Sequence, residues 1–280
     1  MIAPPTTSSV FRQVRGLEVL SWPAFDAFGV DVLVTARGGG VSAGPYASLN
    51  LSFNVGDDPA AVLENRRRAA AAIGAALDDV VFAEQVHGAA AQVVGAADRG
   101  RGARAAAGAV PGADALVTAD PGTVLAVLAA DCVPVILYDP VARVLACAHA
   151  GWRGTVAGAV ASAVAAMRSL GTEPADVVAG IGPAIAADRY QVGAEVAGAA
   201  TSAFGDRAPD VLRPAGPGQW QFDLWAANRL VLQDAGVPAG QIQLSGTATG
   251  PAANQFFSHR AERPCGRFAA LARIRPRETR

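Results

Sequence analysis

The chain has 280 residues, 51% hydrophobic and 17% charged, enough for a sizeable core and incompatible with global disorder. Its formal net charge is −1 with no dominant basic region, which argues against a protein that holds nucleic acid by neutralising phosphates. There is no lysine, so any side-chain clamp for an anion must be arginine.

Three cysteines without framework spacing do not suggest disulfides. The N-terminus lacks a basic start followed by an apolar stretch, so no signal peptide is expected. No uninterrupted apolar run reaches the ~18–20 residues of a membrane span. These features predict a cytoplasmic protein with reduced thiols and no membrane contact.

Residues 1–10 read as a loose terminus. Residues 29–35, GVDVLVT, form a strand signal. The Gly-, Ser- and Asn-rich run that follows, 36–58, has the composition of a structured binding loop. Asp57-Asp58-Pro59 opens a helix, DPAAVLENRRRAAAAIGAAL. Its Arg66, Arg67 and Arg68 point three ways, so at most two can face a site. Residues 80–86 read as a strand running into His87-Gly88. The Arg/Ala/Gly-rich segment 98–112 reads as a mobile surface loop.

The organising stretch is 111–155, PGADALVTADPGTVLAVLAADCVPVILYDPVARVLACAHAGWRGT. Two of its apolar runs, 133–138 and 143–148, flank Asp139-Pro140-Val141-Ala142, a tight-turn sequence. A hairpin centred on Pro140 and Val141 sets Cys132 directly opposite His149, with Cβ atoms roughly 4.5–5.5 Å apart. Residues 154–170 predict a small-residue helix, 177–181 a strand, 190–203 and 222–235 helices, and 242–244 and 268–274 strands. Strands and helices mix without regular alternation, which favours α+β in a single domain.

His87, Cys132 and His149 each lie at a strand end beside small residues. Two His and one Cys make a three-ligand zinc set with a fourth position for water or substrate, and zinc lowers the pKa of a bound water to ~7. The same residues also allow a nucleophilic Cys132–His149 pair, or three unrelated buried polar groups. Cys147 and Cys265 read as structural, and His259 as solvated or as an outer neighbour of the site. Arg153, opening a helix after His149, suits phosphate, as do Arg260 and Arg267. Asn50 and Asn54 can bond a ribose, base or their own loop. Trp152 can stack on a ligand or serve the core. No phosphate-loop motif is present.

Eight segments, TARGGGVSAGPYASLNLSFNVGDDPAAVLENRRR, QVHG, GADALVT, AADCVPV, AHAGWRG, GIGPAI, YQVG and GRFAAL, resemble in order those of the YfiH family, also called the polyphenol oxidase or laccase-domain family. The resemblance spans about residues 30–274. It implies one catalytic domain, a four-layer α/β/β/α sandwich with mixed sheets, holding zinc (alternatively copper) on His87, Cys132 and His149. It further implies phosphorolysis of adenosine, inosine, guanosine or methylthioadenosine, and deamination of adenosine. Catalysis then falls to Cys132, His149 and Arg153, and binding of nucleoside and phosphate to Asn50, Arg260 and Arg267. Copper-dependent phenol oxidation and a role in cell-wall precursor quality control or division are the alternatives. Monomer and small homo-oligomer both fit. Ala186-Ala187-Asp188-Arg189 replaces a family segment containing two cysteines, and Ala261 and Cys265 stand where the family has Arg and Thr. These changes predict an altered substrate preference.

Overall fold

A computed structural model describes residues 9–250 and 255–276. In chain order its first elements are β1 (Val10–Val14), β2 (Leu17–Ser21), α1 (Pro23–Asp26), β3 (Val30–Thr35), α2 (Pro59–Ala72), β4 (Val80–Phe82) and β5 (Ala91–Val93). Then come β6 (Ala115–Thr118), β7 (Val124–Ala129), β8 (Val133–Asp139), β9 (Val144–Ala150), α3 (Trp152–Ala157), α4 (Ala159–Arg168) and β10 (Val178–Ile181). The rest are β11 (Gln191–Val192), α5 (Ala194–Phe204), α6 (Ala208–Val211), β12 (Leu212–Gly216), β13 (Gln219–Phe222), α7 (Leu224–Asp234), β14 (Ile242–Leu244) and β15 (Phe268–Ile274).

Two six-stranded mixed sheets form the body. The first runs β1-β2-β3-β15-β7-β4 and the second β14-β10-β8-β9-β6-β5; β11-β13-β12 is a small third sheet. Burial on both faces explains the unbroken apolar runs. Along β8, Val133, Val135 and Leu137 pack against α4, α5 and α7, while Ile136 and Tyr138 face the first sheet. Helix α2 covers the outer face of the first sheet through Ala69, Ala70 and Ile73. The layers are therefore helix, sheet, sheet and helix, as the family resemblance implies. No helix of the described residues is long and apolar enough to cross a membrane.

Several expectations need correction. Of the loose terminus, residues 1–8 lie outside the described residues, and Val10 already begins β1. The β8–β9 turn holds four residues, 140–143, because Asp139 Oδ1 accepts from Val141 N and Ala142 N and Arg143 takes a left-handed φ of 56°. His149 therefore opposes Pro134, and Cys132 lies just before β8. A two-residue shift keeps the side-chain face, so thiol and imidazole still meet, diagonally. The expected helix over 154–170 breaks at Gly158, whose φ is 83°. Segment 98–112 is a surface loop at 104–108, which are exposed, but it is anchored on either side by buried Gly102, Ala103 and Val110. The helix from Asp58 stops at Ala72, short of 77, where Gly74 takes a φ of 73°.

The Gly-rich run is anchored by Asn65 of α2. This fully buried side chain accepts from Val41 N and donates to Ser42 Oγ, Ser48 O and Asn50 O. Gly40 passes so close to Ser48 O that an added Cβ would sit 2.1 Å from it. We expect Asn65→Ala to lower unfolding free energy by more than about 2 kcal/mol, since several buried groups lose a partner at about 1–3 kcal/mol each; urea denaturation measures it.

Candidate functional site

Two crossings between the sheets create the site. The chain leaves the first sheet at β4 and enters the second at β5, and it leaves again at β7 to enter at β8. Strands β4 and β7 are parallel neighbours, so both crossings occur at the same end. His87 lies on the first crossing and Cys132 on the second. His149 arrives from β9, whose end pairs with the start of β8. The backbone turns sharply at these points: Gln85, His87 and Asp131 have φ of 52°, 60° and 83°. Such conformations cost about 1–3 kcal/mol and gather at functional sites.

Asp114, fully buried at the start of β6, holds the ligands in place. Its carboxylate accepts from Val86 N (3.2 Å), His87 N (3.0 Å) and Gly88 N (2.6 Å), and meets His149 Nδ1 at 2.9 Å. That bond leaves the other ring nitrogen of His149 for the site. One donor atom each from His87, Cys132 and His149 lies within 4.8 Å of the others. The two rings meet edge to face, 4.9 Å between centroids. A Cβ on Gly151 would come within 2.9 Å of Cys132 Sγ and 3.1 Å of His87 Cδ2, so glycine preserves this space.

Electrostatics point the same way. Burial alone would raise the Cys132 pKa, yet the charge and hydrogen bond of His149, with those of His87, bring it well below the ordinary thiol value. Burial would lower His149, but the Cys132 thiolate and Asp114 raise it. A thiol with a lowered pKa beside two histidines, one of them oriented by Asp114, is the donor chemistry of a borderline-soft metal once both rings are neutral. With an outer carboxylate orienting His149, these residues fit one ion.

The ligands open onto a cavity of about 590 Å³, within the range of small-molecule sites. Residues 52–55 of the Gly-rich run, Arg66, Phe82 and Gln85 line it, as do Ala106, Ala107 and Ala109, so segment 98–112 is cavity wall. His259 and Arg267 also line it. Arg153 and Arg260 do not. Arg153 is exposed, pairs with Glu195 at 3.3 Å and lies 4.2 Å over Trp152. Arg260 lies 5.1 Å over Tyr190 and donates to Gln191 O. Asn50 is spent inside its loop, bonded to Ser52, Asp57 and Arg267 N, so it positions Arg267 and does not line the cavity. Cys147 is core between the sheets, and burial pushes its pKa far up. Cys265 is buried beside Arg267 Nη1 at 3.3 Å.

Sequence reasoning missed Asp114, although a lone carboxylate opening an apolar strand is a readable signal. It also missed Asp131, whose carboxylate joins Thr249 Oγ1 to Arg260 N, and the cavity role of Arg66.

Fold and site together define a mixed α/β protein with a His/Cys/His centre at the sheet crossings. Residues 31–275 match the family model described as multi-copper polyphenol oxidoreductase laccase, and the chain belongs to this laccase-like YfiH family. It is 42% identical over 240 residues to purine nucleoside phosphorylase YlmD of Geobacillus stearothermophilus, covering 85% of this chain and 88% of the relative. The crystal structure of YlmD from that organism matches with TM-score 0.90 at 40% identity, covering 96% of this chain and all of that one. A purine nucleoside phosphorylase of Deinococcus radiodurans is 42% identical over 256 residues, covering 87% and 89%.

Asp114→Asn should weaken metal binding by about 10–100-fold, measured by chelator competition, because outer partners of ligating histidines carry that much. In metal-free protein, Cys132 should alkylate with an inflection well below the ~8.5 of a free thiol, the reactive thiolate prevailing above it. Metal loading should suppress that reaction. An inflection at the ordinary value would show that His149 does not stabilise the thiolate.

Proposed function

We propose that the protein is a zinc-dependent purine nucleoside phosphorylase, accepting adenosine, inosine, guanosine and methylthioadenosine, that also deaminates adenosine. The observation that carries this reading is a His87–Cys132–His149 donor set opening onto a cavity of nucleoside size with basic side chains in its wall. Relatives named purine nucleoside phosphorylase at about 40% identity support it.

In phosphorolysis the bond from the anomeric carbon to the base nitrogen breaks. The electron pair leaves with the base, which takes a proton, and a phosphate oxygen bonds to that carbon. The cavity supplies position and electrostatic compensation as the ribose gains positive charge. Arg267 and His259 bring positive charge or donors to its wall, and Asn50 fixes Arg267 through its backbone amide. In deamination a water oxygen bonds to the amino-bearing ring carbon of adenosine, the bond from that carbon to the amino nitrogen breaks, and the nitrogen leaves as ammonia, carrying one proton from the water while the other goes to the ring. Zinc on His87, Cys132 and His149 would act as a Lewis acid. Asp114 holds the His149 ring in register and preserves its tautomer. Three free cysteines suit a reducing cytoplasm.

Copper-dependent phenol oxidation is the second reading, because two His and one Cys are also a copper donor set. Among the described residues they form one cluster, which gives one ion and not a multicopper centre.

Zinc-loaded protein given adenosine should yield adenine and ribose 1-phosphate with phosphate, and inosine without it, as resolved by chromatography. His149→Ala should lower both rates by at least about 100-fold, a ligand costing more than the 10–100-fold of an outer partner. Neither product from protein with zinc bound would overturn the proposal. Rapid phenol turnover on copper, lost in Cys132→Ser, would favour the second reading.

A further inference from the structure

Arg66 is a buried cation with no carboxylate partner among the described residues. Of the three consecutive arginines on α2, Arg67 and Arg68 pair with Glu64. Arg66 turns inward and is 4% exposed. Its guanidinium lies between two aromatic faces, 4.3 Å from Phe53 and 3.8 Å from Phe82. Nε donates to Leu51 O at 2.7 Å, and Nη1 donates to Gly102 O and to Ala103 O. These bonds use three of the five N–H groups. The two on Nη2 have no partner among the described residues, yet Nη2 is not among the buried polar atoms sealed from solvent. The residue lines the cavity that His87, Cys132 and His149 open onto, so its remaining exposure belongs there.

Carbonyl dipoles and aromatic faces offset part of the cost of burying a guanidinium, but they do not cancel its charge. Burial draws its pKa down to about 9, consistent with a charge that lacks a counter-ion. A neutral nucleoside would not supply one, whereas an oxyanion would. The stacked, triply bonded head is also rigid, so little side-chain freedom remains to be lost on binding. Arg267 and His259 lie on the same cavity wall, and Glu84, the carboxylate there, already accepts from Gly112 N.

We propose that Arg66, through Nη2, is the phosphate clamp of this cavity, the role that sequence reasoning gave to Arg153. The assignment of that phosphate as co-substrate rests on the phosphorylase reading; the anion site itself does not.

The test uses zinc-loaded protein and inorganic phosphate. Titration calorimetry without nucleoside should show phosphate binding that Arg66→Gln weakens by about 10–100-fold, the range for a lost hydrogen bond to a charged group. Arg66→Lys, which keeps the charge but not the stacked fork, should recover part of it. In turnover, KM for phosphate should rise by the same factor, and KM for adenosine by less than a tenth of that. A merely structural arginine would move both or neither. Should Arg66→Gln not fold, wild-type crystals soaked in tungstate provide the second arm: the anomalous peak should lie against Arg66. A peak at Arg153 alone, or unchanged phosphate affinity in Arg66→Gln, overturns the proposal. Phosphate held at Arg66 without phosphorolysis would sink the functional reading and leave the clamp standing.

Discussion

A carboxylate sealed from water between sheet and crossing loop is the constraint on which the site depends. Burying the Asp114 charge without compensation would cost several kcal/mol. Three backbone amides of residues 86–88 and the His149 ring provide that compensation. The same four bonds therefore hold the first crossing against the end of β9. They present His87 in a left-handed backbone conformation and turn one nitrogen of His149 toward Cys132. Stability and site geometry are thus one requirement at this point. The ligands cannot be repositioned without unsealing a buried charge.

Two mixed sheets packed face to face make such a place available. A chain that passes twice from one sheet to the other at the same end brings distant segments together where neither sheet's ladder constrains them. Side chains there can converge, and glycine at 151 leaves room between them. The cavity wall uses the same economy. Asn65 and Arg66 are consecutive on α2, the first satisfying the amides and carbonyls of the Gly-rich run, the second reaching under it to Leu51 and across to Gly102 and Ala103. One helical turn thus joins two otherwise irregular segments into a wall.

Strands 268–274 and 242–244 were legible to the residue, because local β-type runs with clear boundaries carry that information. The start of α2 was legible through Asp58, whose side chain caps Ala60 N. The β8–β9 register was not. It turned on whether Asp139 would close a two-residue or a four-residue turn, and on the left-handed conformation of Arg143, which no propensity favours. The edge strands β1, β5, β11 and β12 are short or exposed; β5 and β11 moreover pair with partners distant in sequence, β6 and β13. Segment 98–112 looked mobile because small residues mark loops, yet the same smallness lets Ala103 pack in the core and Ala106, Ala107 and Ala109 line the cavity.

By itself the sequence determined the donor types: two histidines and a cysteine at the ends of apolar runs, and no cation other than arginine for an anion. That information is local, since a side chain's chemistry and the period of its neighbours can be read without knowing the fold. Which arginines line the cavity was decided by tertiary structure alone: Arg66 and Arg267 do. Arg66, Arg67, Arg153, Arg260 and Arg267 are chemically identical in sequence. What separates them is desolvation and partner: Glu195 pairs with Arg153, Glu64 with Arg67, Arg260 reaches Gln191 O, and Arg66, buried, has no carboxylate partner among the described residues. Those partners are set by contacts between segments that only the packed sheets bring together.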